Sequence, residues 1–253
     1  MKKIFNKVHL QIIAVIAMTI DHIAWLIFPG YSHHPVAILC HILGRIAFPI
    51  MAFFIAEGYH YTKDKKKYIL RLFIFSLISH IPYMLTSISF NEYGWLSLIP
   101  FYTGVGITRF LNQTSVLFAY LIGLLMLCVN NSKKLNSVVK TLLILLLALV
   151  AFPSDWSSIA SLIVLAIGSS RDNKIKQLLL SAMWIGIYII VYYFALDKIY
   201  ALIQLGVLLT IPFLMLYNGK KSKSNKVNKT MKWFFYIYYP LHLLILGVIG
   251  LFI

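Results

Sequence analysis

Nine long apolar runs divide this chain, at residues 8–28, 36–60, 68–86, 114–129, 138–152, 156–169, 178–195, 199–217 and 233–253, and short polar or basic stretches separate them. An α-helix needs about 20 residues to cross about 30 Å of hydrocarbon, and most of these runs approach that length. The pattern predicts an all-α fold: a polytopic membrane helical bundle of about nine transmembrane helices, forming a single integral-membrane domain over 1–253. The runs at 138–152 and 156–169 are short, so they require a locally thin bilayer or shielding by neighbours. Residues 87–113 are less apolar and hold Asn91, Glu92, Gly94, Pro100, Gly104, Gly106 and Arg109, which predicts a re-entrant or surface element and not a span.

Composition agrees with the pattern. Of the 253 residues 60% are apolar and 12% charged, with a mean hydropathy of +0.84, whereas soluble domains carry about 25% charged residues. The net charge of +16 raises the question of nucleic acid, and its distribution answers it. With the amino terminus placed in the cytoplasm, Lys and Arg number 3 before the first run, 5 in 63–71, 3 in 133–140, 3 in 171–176 and 6 in 220–232, so 20 of the 23 fall on one side. That is the positive-inside pattern, and it predicts an inside amino terminus, an outside carboxyl terminus and a bilayer as the partner of these charges, with no nucleic acid. The first run continues through Asp21-His22 to Pro29 with no small-residue cleavage site after it, so it is expected to be a retained helix and not a signal peptide.

Ionisable residues inside the runs are the candidates for chemistry, because a charge at bilayer depth costs about 2.5–3.5 kcal/mol or more. Asp21-His22 lies about fourteen residues into the first run, roughly 21 Å along a helix entered at Val8. In the second run His41 and Arg45 share a helical face, as do Glu57, His60 and Tyr61. Pro49 lacks the N–H that would serve the Arg45 carbonyl, so a bend is expected at the charge. In the last run Pro240 loosens the helix while Tyr238 and His242 stand one turn apart. Adjacent residues on a helix point about 100° apart, so Asp21 is expected to pair with Arg45 or His242 and not with His22. Asp155 is either the cap of the following helix or a second orienting carboxylate. Cys40 and Cys128 are expected to be buried apolar fillers, and no metal motif or nucleotide-binding glycine loop is present.

These residues sit in segments that resemble the TraX family: LQIIAVIAMTIDHI, GRIAFPIMAFFIAEGYHYT, YILRLFIFSLISHIPY, IQLGVLLTIPFLMLYNG and FFYIYYPLHLLIL, in that order. The family includes a conjugative pilin acetylase and is similar to the wider type-three class of transmembrane acyltransferases, which carry a His near the end of the first span. The resemblance implies acetyl-CoA as cosubstrate, a peptide or pilin-like acceptor amine, the bacterial plasma membrane as location and His22 as the catalytic His. The chain reads SVLFAYL, with Ser115 and Ala119, and Asp155-Trp156-Ser157 where the family pattern has Asn-Val-Leu-Phe-Thr and Asp-Tyr-Gly. Joined to the residues, it gives His22 as base, with Asp21 and Asp155 as catalytic orienters and Arg45, Tyr238 and His242 around the thioester. Glu57 and Arg71 are placed with the cosubstrate at the basic end, where Lys63–Lys67 would attract phosphates. Two other expectations stand beside this one: O-acetylation of a sugar or lipid, and a proton- or metal-linked transporter built on His22, Asp21 and His41.

Overall fold

The structure is a computed structural model, and it describes residues 3–86 and 113–252. The segment expected to be re-entrant, 87–113, lies outside the described residues except for Gln113. The described chain is helical, with two isolated parallel bridges, Phe5 to Tyr217 and Thr114 to Ser154, as its β-type pairings. In order the helices are α1 (Lys7–Ile27), α2 (Pro35–Gly44), α3 (Ala47–Tyr61), α4 (Lys65–Leu85), α5 (Val116–Asn130), α6 (Ser137–Ala151), α7 (Ser157–Ser169), α8 (Lys174–Ala195), α9 (Lys198–Ile203), a 3₁₀ segment (Gln204–Leu209), α10 (Thr210–Met215) and α11 (Asn225–Gly250).

Among the described residues six stretches are long and apolar enough to cross a membrane: Lys7–Ile27, Pro35–Tyr61, Lys65–Leu85, Lys174–Ala195, Lys198–Met215 and Asn225–Gly250. Three shorter apolar helices, α5, α6 and α7, complete the nine predicted positions. Their 15, 15 and 13 residues give only about 20 Å of rise each. The protein is thus a membrane protein with many apolar side chains directed outward, among them Leu77, Leu149, Ile175, Phe194 and Leu241. In water such a surface would drive aggregation; against lipid tails it is the ordinary exterior of a spanning helix.

The chain forms two compact units. The first contains Met1–Met51 and Ile189–Ile253. Its α1 packs on α2 and on α11, and α2 packs on the 3₁₀ segment and α9. Two prolines shape it. Pro49 leaves the Arg45 carbonyl without its helical donor, and the chain makes a turn at Arg45-Ile46 between α2 and α3. Pro212 acts in the same way on the turn before it, where the backbone tightens to 3₁₀ over Gln204–Leu209. At its basic end Phe5 N–H donates to Leu216 O (3.1 Å), Lys7 N–H to Lys220 O (2.9 Å) and Asn218 N–H to Phe5 O (2.9 Å). The two termini of the basic pattern, Lys3 with Lys7 and the run from Lys220, are therefore held side by side.

The second unit contains Ala52–Tyr188, with α5 packed among α4, α6 and α7. Close approach depends on small residues: a Cβ on Gly123 would lie 2.7 Å from Val164 Cβ, and one on Gly168 2.5 Å from a Leu127 methyl. The α6–α7 turn is tied to the start of α5 by Gln113 N–H to Pro153 O (2.7 Å) and Asp155 N–H to Thr114 O (2.8 Å). Asp155 does not cap α7. Trp156 occupies the cap position with left-handed φ of 61°, its ring stacked on Tyr188 at 5.3 Å. A bulky residue in that region is strained, and the stacked ring helps hold it there.

Candidate functional site

The first unit gathers five of the eight residues singled out in the sequence: Asp21, His22, Arg45, Tyr238 and His242. They fall into two hydrogen-bonded sets on different faces of α1. On one face Asp21 Oδ1 accepts from His41 Nδ1–H at 2.8 Å and lies 3.6 Å from Arg45 Nη2. All three side chains are buried, His41 completely. The Trp25 and Tyr200 rings flank His41, with centroids at 4.5 and 5.4 Å. Two glycines permit this approach. A Cβ on Gly44 would stand 2.3 Å from Asp21 Cβ, and one on Gly206 would stand 2.6 Å from Ile42 O and 3.2 Å from Arg45 Cβ. The expectation that Asp21 pairs with Arg45 or His242 resolves to Arg45, joined by His41.

The other face of α1 meets α11. His22 Nδ1 lies 2.8 Å from His242 Nε2, and His242 Nδ1 lies 2.8 Å from Tyr238 O. The two imidazole centroids are 5.0 Å apart with planes 29° from parallel. Ring nitrogens sit at the ring edge, so these two distances together mean that the rings meet edge to edge, as an in-plane N–H···N bond requires. Thr19 Oγ1 lies 2.7 Å from Val15 O and 2.6 Å from Tyr238 Oη. A threonine hydroxyl has one hydrogen, and the Val15 carbonyl is acceptor only. The hydrogen in the second bond is therefore Tyr238's, donated to Thr19. Helical spacing makes the double contact possible, since Thr19 and His22 are three apart on α1 and Tyr238 and His242 four apart on α11.

The sequence places Tyr238 and His242 around the expected thioester. In the structure the Tyr238 hydroxyl proton goes to Thr19, and both His242 nitrogens are engaged. Glu57, Arg71 and Asp155 belong to the second unit. Glu57 Oε1 accepts from Arg171 Nε at 3.0 Å, and this bond is the main cause that raises the Arg171 guanidinium above its ordinary value. Arg171 also lies over the Tyr61 ring, 4.8 Å from its centroid. Arg71 lies 5.9 Å from the Tyr68 centroid, and its Nε is buried with no hydrogen-bond partner among the described residues.

The residues that sequence reasoning left without a role are Thr19, Trp25, Gly44, Tyr200 and Gly206, and for His41 it missed the bond to Asp21. One signal was available. His41 and Arg45 are a turn apart on one face, so a carboxylate that reaches Arg45 reaches His41 too. Among the described residues no three His, Cys, Asp or Glu side chains converge as metal ligands; His22 and His41, joined in the transporter expectation, sit in separate bonded sets.

The TraX protein family matches residues 6–250, nearly the whole chain. The chain belongs to the TraX family. It is also similar to the probable fimbrial assembly protein FimC, serogroup H1, of Dichelobacter nodosus, with 28% identity over 222 residues that cover 86% of each chain. No solved structure matches. TraX membership places all five residues of the first unit's site within the matched span.

Proposed function

We propose that this TraX protein is a membrane acyltransferase of the bacterial plasma membrane that moves an acetyl group from acetyl-CoA to an acceptor, the N-terminal amine of a peptide or pilin-like protein. The observation that carries the reading is the bonded pair of histidines on α1 and α11. With Nδ1 of His22 engaged, its Nε2 is left as the lone pair that a general base needs, and imidazole is the side chain whose ordinary pKa suits that work near neutrality. The fimbrial name of the relative supports a pilin-like acceptor.

In the proposed reaction the amine nitrogen attacks the thioester carbon, a C–N bond forms, and His22 Nε2 takes the amine proton. As the C–S bond breaks, the same proton passes to the departing thiolate, so the products are the amide and free CoA thiol. Arg45 supplies positive charge toward the oxygen that gains negative charge, and preorganised charge of this kind is worth most in a dry site. Asp21 and His41 hold Arg45 in place. For the CoA phosphates the run from Lys220, held beside Lys7 in the same unit as His22, supplies charge. Glu57 does not fit that task, because it already neutralises Arg171.

The test is binding of acetyl-CoA and release of free thiol by purified protein, with and without peptides bearing free amino termini. Wild type is expected to bind and to release thiol on addition of peptide. His22→Ala, folded and monodisperse, is expected to lose peptide-stimulated release by about 10²- to 10⁴-fold, the usual share of a general base. Stimulation by sugars and not by peptides would move the acceptor to a hydroxyl. No binding by folded wild type would remove the reading.

A further inference from the structure

We infer that His242, and not the adjacent Asp21, is the positioning residue of His22: it fixes the tautomer that leaves Nε2 of His22 unprotonated. The inference rests on the acyl-transfer reading only for its consequence in catalysis. The argument itself is a count of hydrogens. His242 Nδ1 faces the carbonyl of Tyr238 at 2.8 Å, and a carbonyl oxygen only accepts, so that nitrogen carries a proton. In a neutral imidazole the other nitrogen is then a bare lone pair. His242 Nε2 is that lone pair, 2.8 Å from His22 Nδ1, so the hydrogen between the rings belongs to His22. His22 is thereby protonated at Nδ1 and bare at Nε2.

An unconstrained imidazole prefers the opposite arrangement, with its proton on Nε2. His242 reverses that preference. Asp21 does not do this work: its Oδ1 accepts from His41 and faces Arg45, on a different side of α1. The register of the donor is secured twice. The Tyr238 carbonyl that orients His242 is one turn away on the same helix, and the Tyr238 ring stacks on His242 at 4.9 Å with planes 7° apart. The Tyr238 hydroxyl is anchored in turn to Thr19 on α1. When His22 takes a proton at Nε2, the Nδ1 hydrogen is free to move along the bond to His242, so the two rings share one positive charge without any proton leaving the pair.

The experiment is ¹⁵N NMR of histidine-labelled protein, with the His22 signals identified by their loss in His22→Ala. Wild type is expected to show His22 with a protonated Nδ1 and a bare Nε2. His242→Leu is expected to lose that pattern, whereas His242→Gln, whose amide oxygen still accepts from Nδ1–H, is expected to keep it. In turnover, His242→Leu is expected to lower kcat about 100-fold, the lower end of the ~10²- to 10⁴-fold share of a positioned general base. Its KM for acetyl-CoA is expected to stay within about twofold, and His242→Gln to recover at least about tenfold of the loss. A bare Nδ1 on His22 in wild type overturns the inference, as does a His242→Leu enzyme with unchanged kcat or a Gln variant no better than Leu. If His242→Leu does not fold, the wild-type spectrum and His242→Gln still decide. A wild type with the expected tautomer but no acetyl transfer would leave the positioning intact and remove the proposed reaction, so the two readings fail separately.

Discussion

At the scale of single residues, the site depends on one carboxylate serving two buried partners. Asp21 sits between His41 and Arg45, and taking such charges out of water is costly unless each is matched. Asp21→Asn keeps the shape and removes the negative charge that His41 and Arg45 share. It is expected to cost about 3 kcal/mol, at the lower end for breaking a buried pair, seen as a fall in Tm in detergent. His22→Ala removes no member of that charge cluster and is expected to cost less, about 1 kcal/mol for the lost hydrogen bond to His242. Gly44→Ala tests the same packing by volume, since its new Cβ would fall 2.3 Å from Asp21 Cβ. Backbone or carboxylate must shift, and a loss of about 1–3 kcal/mol is expected for such overpacking. A Gly44→Ala protein as stable as wild type would show that α1 and α2 are less closely apposed.

At the scale of elements, the apolar runs were legible because hydrocarbon thickness leaves its length on the sequence. All nine runs correspond to apolar helices, and the bend at Arg45 follows from Pro49 one turn later. The 3₁₀ segment was not read, although Pro212 acts by the same rule, because a proline reports only that the preceding turn must change and not how far the change spreads. The capping of α9 shows what a short element needs. Asp197 Oδ1 accepts from Tyr200 N–H at 2.8 Å, and Oδ2 lies 3.2 Å from His33 Nε2. Partial burial pushes this carboxyl up, but the Tyr200 N–H and His33 together hold it below its ordinary 3.8. A carboxyl depressed in the folded state contributes stability above its unfolded value and loses it as pH falls through the folded value. Asp197→Ala is therefore expected to be about 1 kcal/mol less stable than wild type near neutrality, the usual worth of a cap. The gap should close as pH falls below 3.8, and Tm measured against pH for both proteins checks it. Asp155, by contrast, resembled a cap by position and is not one, because a left-handed Trp156 intervenes. Sequence shows residue type at a helix start; it does not show the φ that decides which residue is the cap.

At the scale of the whole molecule, the distribution of charge carries the proposed orientation, and one piece of geometry supports part of it. The amino-terminal segment pairs with residues 216–220, which sets two of the basic clusters together at one end of the first unit. Lysine and arginine near helix ends resist translocation, so that end is proposed to face the cytoplasm, with the α1–α2 loop and the carboxyl terminus outside. Acetyl-CoA is made in the cytosol, and His22 would then lie roughly 21 Å from the basic end. Single cysteines test this directly in a background with Cys40 and Cys128 replaced by alanine. Ser222→Cys, beside the Lys220 run, is expected to react with a membrane-impermeant maleimide only after cells are opened. Pro29→Cys and Phe252→Cys, both at exposed positions, are expected to react in intact cells. The reverse pattern would place the basic loops outside and overturn the proposed orientation, with His22, near the Ile27 end of α1, then roughly 8 Å from the cytosolic end of the helix. In that case acetyl-CoA would approach the histidine pair from the α1–α2 end, and the basic clusters held together at the other end would have no part in binding its phosphates.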